Sequence, residues 1–555
     1  MDKKLIFFLL AFFVFFFVYQ KFVLSPMIPK PQPAAPSSQP VSVEKNAPPP
    51  VAAAPSPQPA AAPATATAQT PAQQTRKAFV DTPLYHAEFT NHGAVLTSFR
   101  LKRYTDDYGR PLEMIPQIPN AVDLPLAIEM DDKKIAKVAG EASYSVEGDN
   151  LNLFGHDSGS LVFTFSNGQQ TFRKKLDFKA DSYLIGIRVE AMSGQNPLPV
   201  RIAWAPGLET TASYKDQINL KPSRGVVNNG TKVERFESKS VREFRKVGAT
   251  VRWAGIENNY FISVFVPVNQ PADAYMGPAP VSETKPAHDV DLMLAGARAE
   301  PLQVSLYIGP KDYDVLQQIG QDLDQALNFG FWSPVAKALF ITLRVIYKYT
   351  GNWGWAIILL TVLIKIIFTP FTQMSFSSMK KMQGMQPELK KIQDKYAKMK
   401  SDDPRKLSMN TEIMALHKRY GVNPLGGCLP MLLQMPVLFA FYGLLGNAIE
   451  LRKAPFLLWI QDLSRPDPLH ITPLVMGGTM LLQQRMTPTT DPMQKNMMYI
   501  MPIMFTWISF RLQSGLVLYW LFSNALAIAH QYYFQRTQQK PTAAVVKEPV
   551  KESPV

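Results

Sequence analysis

The stretch from Asn352 to Pro370, NWGWAIILLTVLIKIIFTP, sets the terms for the rest of the chain. It is long and apolar enough to cross a bilayer as a helix, yet it carries Lys365 inside the apolar run. A charged side chain at membrane depth costs at least a few kcal/mol and marks a functional position by default. The competing reading is local: Lys365 lies about one and a half turns from Pro370, and a lysine stem can snorkel to a nearby interface. The surrounding sequence has to separate the two.

Residues 1–24 open with Lys3 and Lys4 and continue as an apolar, aromatic-rich run, MDKKLIFFLLAFFVFFFVYQKFV. No small-residue cleavage site follows directly, so an uncleaved anchor with a cytoplasmic N-terminus is expected. Residues 25–76, rich in Pro and Ala, cannot bury enough apolar surface to order and read as a tether. From 77 to about 310 the pattern turns to short alternating runs bounded by turn residues. LYHAEFT and AVLTSFRL flank NHG, and LVFTF and QTFRKKLDF flank SNGQ. So many strands predict one large antiparallel β-sandwich, placed outside the cytoplasm by the anchor. Metal-ligand spacing, a nucleophile elbow and a Gly-rich phosphate loop are all missing from this stretch. The single cysteine of the 555 residues, Cys428, rules out an internal disulfide framework.

Residues 313–326 read as a helical connector closing a domain over 77–328. PVAKALFITLRVIYKY, within 329–351, has apolar residues at helical spacing with Lys337, Arg344 and Lys348 between them, an interfacial amphipathic helix. After a span at 352–372, residues 373–422 are rich in lysine and predict a helical hairpin. Its first helix is expected from about Ser377 and its second is capped by SDDP; Met379, Met382 and Met385 line one side of the first, a stripe that is most often a packing face but also suits contact with varied apolar partners. The lysine excess places this hairpin in the cytoplasm. It also accounts for part of the net charge of +14, from 58 Lys and Arg against 44 Asp and Glu. Further spans are expected at 423–446, 470–486, 496–511 and 513–535, with an external loop at 447–469, a cytoplasmic turn at 487–495 and a polar tail from 536 to 555. The two middle spans are short and would tilt, thin the bilayer or pair closely. The chain thus reads as a multi-pass α-helical membrane protein of six spans with both termini inside, plus the β domain outside.

Polar residues recur within these spans. Thr361 and Lys365 are four apart on one helical face, and Trp520, Ser523 and Asn524 share another. Gln434 and Gln484 lie in the third and fourth spans. Such groups face protein or water, and can be ordinary interhelical contacts. Lys365 is harder to absorb that way, because none of the five spans from Asn352 onward offers an acidic partner. An unpaired buried cation needs water, an interface or an anionic visitor.

GNWGWAIILLTVLIKIIFTPFT, VNPLGGCLPMLLQMPVLFAFY, ELRKAPFLLWIQDLS, MTPTTDPMQK and SGLVLYWLFSN, in this order, resemble the YidC/Oxa family of membrane protein insertases in its Gram-negative form. The resemblance covers nearly the whole chain. It implies five core helices around a hydrophilic groove open to cytoplasm and lipid, and a periplasmic supersandwich akin to sugar-mutarotase folds, a likeness of fold alone. It implies an inner-membrane insertase and chaperone for nascent membrane proteins, working alone or with the Sec translocon, without a cofactor, a metal or an enzymatic reaction. Thr361, Lys365, Gln434, Gln484, Tyr519 and Trp520 match groove positions, with Ser523 and Asn524 beside them. The hairpin matches the part that receives ribosomes, targeting factors and substrates; lipids are further partners, and sequence-specific nucleic acid is not. Where the family typically has arginine this chain has Lys365, which keeps the charge and loses the bidentate fork. Cys428 reads as a small packing residue. A secondary transporter would require internal repeats, and an anchored carbohydrate enzyme would leave five spans unexplained.

Overall fold

A computed structural model describes residues 75–117, 124–148, 150–209, 223–237, 240–241, 243–268, 271–278, 290–296, 301–397, 405–421, 429–486 and 492–537. The expected anchor, nearly all of the tether, the SDDP cap, Cys428, most of the 487–495 turn and nearly all of the tail lie outside these residues.

Among the described residues the β region forms three sheets. A ten-stranded sheet runs in the order 233–237, 224–228, 253–257, 261–267, 302–310, 184–193, 170–179, 158–166 and 145–147, with 196–197 paired to 184–193. Two five-stranded sheets complete the sandwich. Both expected hairpins form: Tyr85 pairs with Leu101 and Leu161 with Leu176. The pairing is antiparallel except where Val80–Asp81 meet Leu151–Asn152 in parallel. Alternation explains the core. In Gln170–Lys179 the residues Phe172, Leu176 and Phe178 turn inward with Lys174 while their neighbours face out. Phe89 of one smaller sheet meets Phe163 and Phe178 at 6.2 and 5.9 Å between ring centres. Trp204 of the other meets Phe265 edge-on at 6.5 Å.

Lys174 is a lysine in a row of apolar side chains, and its Nζ donates to the carbonyls of Ala94 and Leu126 at 2.7 and 2.5 Å. Both residues hold left-handed backbone, φ 51° and 72°, where non-glycine residues are uncommon. Burial pushes the Lys174 amine down to about 7. A helix the strand pattern hides, α1 (Lys133–Glu141), is capped by Asp132, whose side chain accepts from the backbone of Lys134 and Ile135.

The connector forms α2 (Tyr313–Ile319) and a 3-10 turn at Leu323–Ala326. The amphipathic segment is α3 (Ser333–Thr350), with Pro334 in its first turn and Gly351 closing it at φ 63°. It buries Ala336, Phe340 and Leu343 against the helical core.

Asn352 then starts α4 (Trp353–Gly384), its Oδ1 accepting from Gly354 and Trp355 at 2.9 and 3.2 Å. Among the described residues, α4 is the helix whose length and composition suffice to cross a membrane. It does not stop near Pro370 as the sequence suggests. Proline removes one ladder bond and usually breaks a helix, but α4 continues through it for 32 residues in all. The expected first hairpin helix is therefore the end of α4 followed by α5 (Gln386–Ala397), which pairs with α6 (Arg405–Arg419). The core is completed by α7 (Leu429–Asn447), α8 (Ile471–Arg485), α9 (Pro492–Ser509) and α10 (Ser514–Thr537). Helix α10 packs on α4, α7 and α8, and α8 on α9. At Gly477 a Cβ would stand 2.1 Å from the Thr506 hydroxyl, so this glycine lets α8 and α9 approach closely.

The β domain is bonded to the end of α7 and the loop after it. Asn259 Nδ2 donates to Gly446 O at 2.8 Å, and Arg452 and Lys453 donate to Thr105 O and Oγ1, each at 2.9 Å. Arg465 pairs with Asp107, and Arg452 lies over the ring of Phe261 at 5.5 Å.

Candidate functional site

The predicted polar positions fall on four helices that pack together, and several of them meet. Gln434 of α7 donates from its amide to the hydroxyl of Tyr519 on α10. The Tyr519 ring, itself buried, stacks on Phe441 with centres 4.9 Å apart. One turn further along α10, Asn524 Nδ2 donates to Thr479 Oγ1 of α8 at 3.4 Å, and Ser523 is buried beside it. Trp520 stands edge-on to Phe505 of α9 at 5.0 Å. A polar seam thus runs down α10, touching α7 at one level and α8 at the next. Such contacts also serve as interhelical bonds.

On α4, Thr361 is fully buried and its hydroxyl turns back to Ile357 O at 2.7 Å. That bond satisfies it locally, so Thr361 is not shown reaching a neighbouring helix. Lys365, one turn on, is half-buried. Among the described residues its amine has neither an acidic partner nor a hydrogen bond. Gln484 is also left incomplete: its Oε1 is buried without a partner among the described residues. An unmet amide oxygen and an unmet amine are the two groups of this set most in need of water or a visiting polar group.

One further residue joins this set. His530 of α10 is near enough to Lys365 to feel its charge, and its ring lies 5.5 Å from that of Phe376, on the far stretch of α4. The signal is present, since His530 is seven residues after Ser523 and continues its helical face.

The hairpin methionines divide. Met385 is fully buried with Leu389 and Leu416, and Met382 packs against that cluster. They hold α5 to α6, the packing use that such a stripe most often has, because α5 begins just behind Met385 and folds over it. Met379 stays half-buried outside the cluster. The hairpin is also tied by Lys395 to Glu412 at 2.7 Å and by the Tyr420 hydroxyl to Glu388 at 2.7 Å. Among the described residues, no group of three or more His, Cys, Asp or Glu is arranged to hold a metal.

Residues 345–541 match the family model described as 60Kd inner membrane protein, and residues 77–342 match that of the YidC periplasmic domain. The membrane protein insertase YidC of Oleidesulfovibrio alaskensis is 38% identical over 85% of this chain and 89% of its own length. That of Syntrophus aciditrophicus is 36% identical over 97% and 100%. Among solved structures, an active YidC insertase with its first transmembrane domain resolved is 17% identical, covers 82% of this chain and 92% of its own, and superposes with a TM-score of 0.37. A galactose mutarotase related enzyme from Lactobacillus acidophilus covers 42% of this chain at 8% identity, with a TM-score of 0.30. The names of the relatives denote insertion, a non-enzymatic function. Two family models matched in order, and relatives this similar over most of both lengths, establish that the chain belongs to the YidC family of membrane protein insertases.

Proposed function

We propose that this chain inserts proteins into the bacterial inner membrane and assists their folding there, alone or beside the Sec translocon. The route is a hydrated groove around Lys365, lined by Thr361, Gln434, Gln484, Tyr519, Trp520, Ser523 and Asn524. One observation carries the reading: the Lys365 amine is half-buried on a membrane-length helix with no acidic partner among the described residues. A cation held so is costly unless water or an anion visits it. A short acidic or polar tail of an incoming chain supplies that anion. The apolar segment behind it then moves into lipid, downhill by about 25 cal/mol per Å² of apolar area buried. No fuel is needed if the groove lowers the barrier to carrying the tail.

The topology that fits is six spans, formed by the N-terminal anchor, α4, α7, α8, α9 and α10. Both termini and the α5–α6 hairpin are then cytoplasmic, and the β domain is periplasmic. The exposed lysines of the hairpin suit ribosomes, targeting factors and anionic lipid, with Met379 the apolar contact that remains after Met382 and Met385 are used internally.

The test is insertion into proteoliposomes. Lys365→Ala is expected to reduce insertion of substrates with acidic tails by roughly tenfold, about 1.4 kcal/mol of transition-state stabilisation. Lys365→Arg is expected to retain it. Normal insertion of every substrate by Lys365→Ala would remove the charge from the mechanism. A photocrosslinker at position 365 should capture the tail of an arrested nascent chain.

A further inference from the structure

The loop that follows α7 is folded over the start of α4 and presents two leucines outward. Phe456 fills the space above Gly354, where a Cβ would stand 2.0 Å from its ring, and lies edge-on to Trp355 at 5.7 Å. Behind it, Leu457 and Leu458 turn away from the protein, Leu458 being 78% exposed in a left-handed turn at φ 53°. An apolar pair held out by a fixed turn is costly in water.

Most of the carbonyls of this turn are provided for from within. Asn352 Nδ2 donates to the carbonyls of Pro455 and Phe456, both at 3.3 Å. Ile460 N donates to Leu457 O at 3.1 Å, and Gln461 Nε2 to Leu458 O at 2.8 Å. Four successive carbonyls at a loop tip thus have protein donors. Water would serve them at no cost in an aqueous loop; hydrocarbon would not.

The two leucines also continue an exposed apolar surface. Trp355, Leu359, Leu363 and Ile366 are exposed along one side of α4, and Phe456 packs on the first of them. Tyr349, in the last turn of α3, is 87% exposed, an aromatic of the kind found at bilayer boundaries.

We infer that the Pro455–Ile460 turn is a lipid-immersed wedge, with Leu457 and Leu458 seated among the acyl chains of the outer leaflet beside α4. The partner is phospholipid, because the leucines extend the lipid-facing side of a membrane-length helix and because the tip's carbonyls need no water. The inference rests on α4 being a span, and the experiment separates the two. In the full chain with Cys428→Ser, a nitroxide is attached in turn at Leu458→Cys, Ile366→Cys and Phe154→Cys. Each protein is placed in phosphatidylethanolamine–phosphatidylglycerol bilayers, and collisions with oxygen and with a water-soluble nickel chelate are compared. The Leu458 label is expected to favour oxygen as the Ile366 label does, and the Phe154 label, on an exposed β-domain loop, to favour nickel. A Leu458 label that behaves like Phe154 while Ile366 remains in lipid overturns the wedge alone. An Ile366 label in water overturns the span and the wedge with it. A benzophenone amino acid at position 458, which leaves the loop otherwise intact, should crosslink to phospholipid; capture of a protein in its place also overturns the proposal.

Discussion

Glu257 is wholly buried and surrounded by cations. Its Oε1 accepts from Arg224 Nε at 2.7 Å and Arg235 Nε at 2.8 Å, and Lys311 stands 3.4 Å from Oε2. Burial pushes the carboxyl up, but the charges of Lys311, Arg224 and Arg235 outweigh it and hold it at about 2. Being held below its ordinary 4.5, the group stabilises the fold above that pH, and the contribution is lost as pH falls from 4.5 through 2. Glu257→Gln would leave three cations without a counter-charge. We expect it to cost roughly 3–5 kcal/mol, read as a lower urea midpoint for the β domain in the full chain, with a flatter acid limb. Neither this cluster nor Lys174 is legible in the sequence. Strand alternation predicts that position 174 faces inward, but only the folded turns at Ala94 and Leu126 show what receives its amine. Lys365 is legible, since a lysine in an apolar run with no acidic residue in the five spans from Asn352 onward is a fact of composition. His530 is half legible, its face continuing that of Ser523 while its neighbour is on another helix.

Helices and strand pairs are the most legible layer, because periodicity and turn residues are local signals. Proline at 370 misleads for the same reason. Its local preference ends a helix, whereas α4 continues through it, with the Thr369 and Thr372 hydroxyls bonded back to Lys365 O and Phe368 O at 2.8 and 2.9 Å. Close helix contacts supply a test at this scale. Gly477→Val should force α8 from α9, since even a Cβ meets Thr506 at 2.1 Å. A loss of about 1–3 kcal/mol is expected, measured as lower thermal stability in detergent. Gly478→Ala, beside it and with open space around its Cβ, should be neutral. The reverse order would show that α8 and α9 are not held at that glycine.

At the scale of the molecule, contacts far apart in sequence join the two families of elements. Asn259 reaches Gly446 across 187 residues, and Arg452 reaches Thr105 across 347. No local pattern announces such pairs, so the sequence reading describes a sandwich and a helical core without the bonds between them. Removing three of those bonds with Asn259→Ala, Arg452→Ala and Arg465→Ala is expected to expose the 447–469 loop. Limited proteolysis should then cut there several-fold faster while the sandwich itself stays resistant. Unchanged cleavage would mean that the loop holds its shape without the β domain.

The continuity of α4 from Trp353 to Gly384 has a consequence for how the two ends of the protein can be told apart experimentally. Lys365 and the start of the hairpin share one screw axis, so they have a fixed angular phase as well as a fixed separation of about 29 Å at 1.5 Å per residue. Adding two helical residues between Ser377 and Met379 would turn the hairpin by about 200° while lengthening the helix by only about 3 Å. Adding seven would restore the bearing at a greater distance. Substrate handover that depends on direction would fail with the first insertion and recover with the second; handover that depends on reach alone would show the opposite order.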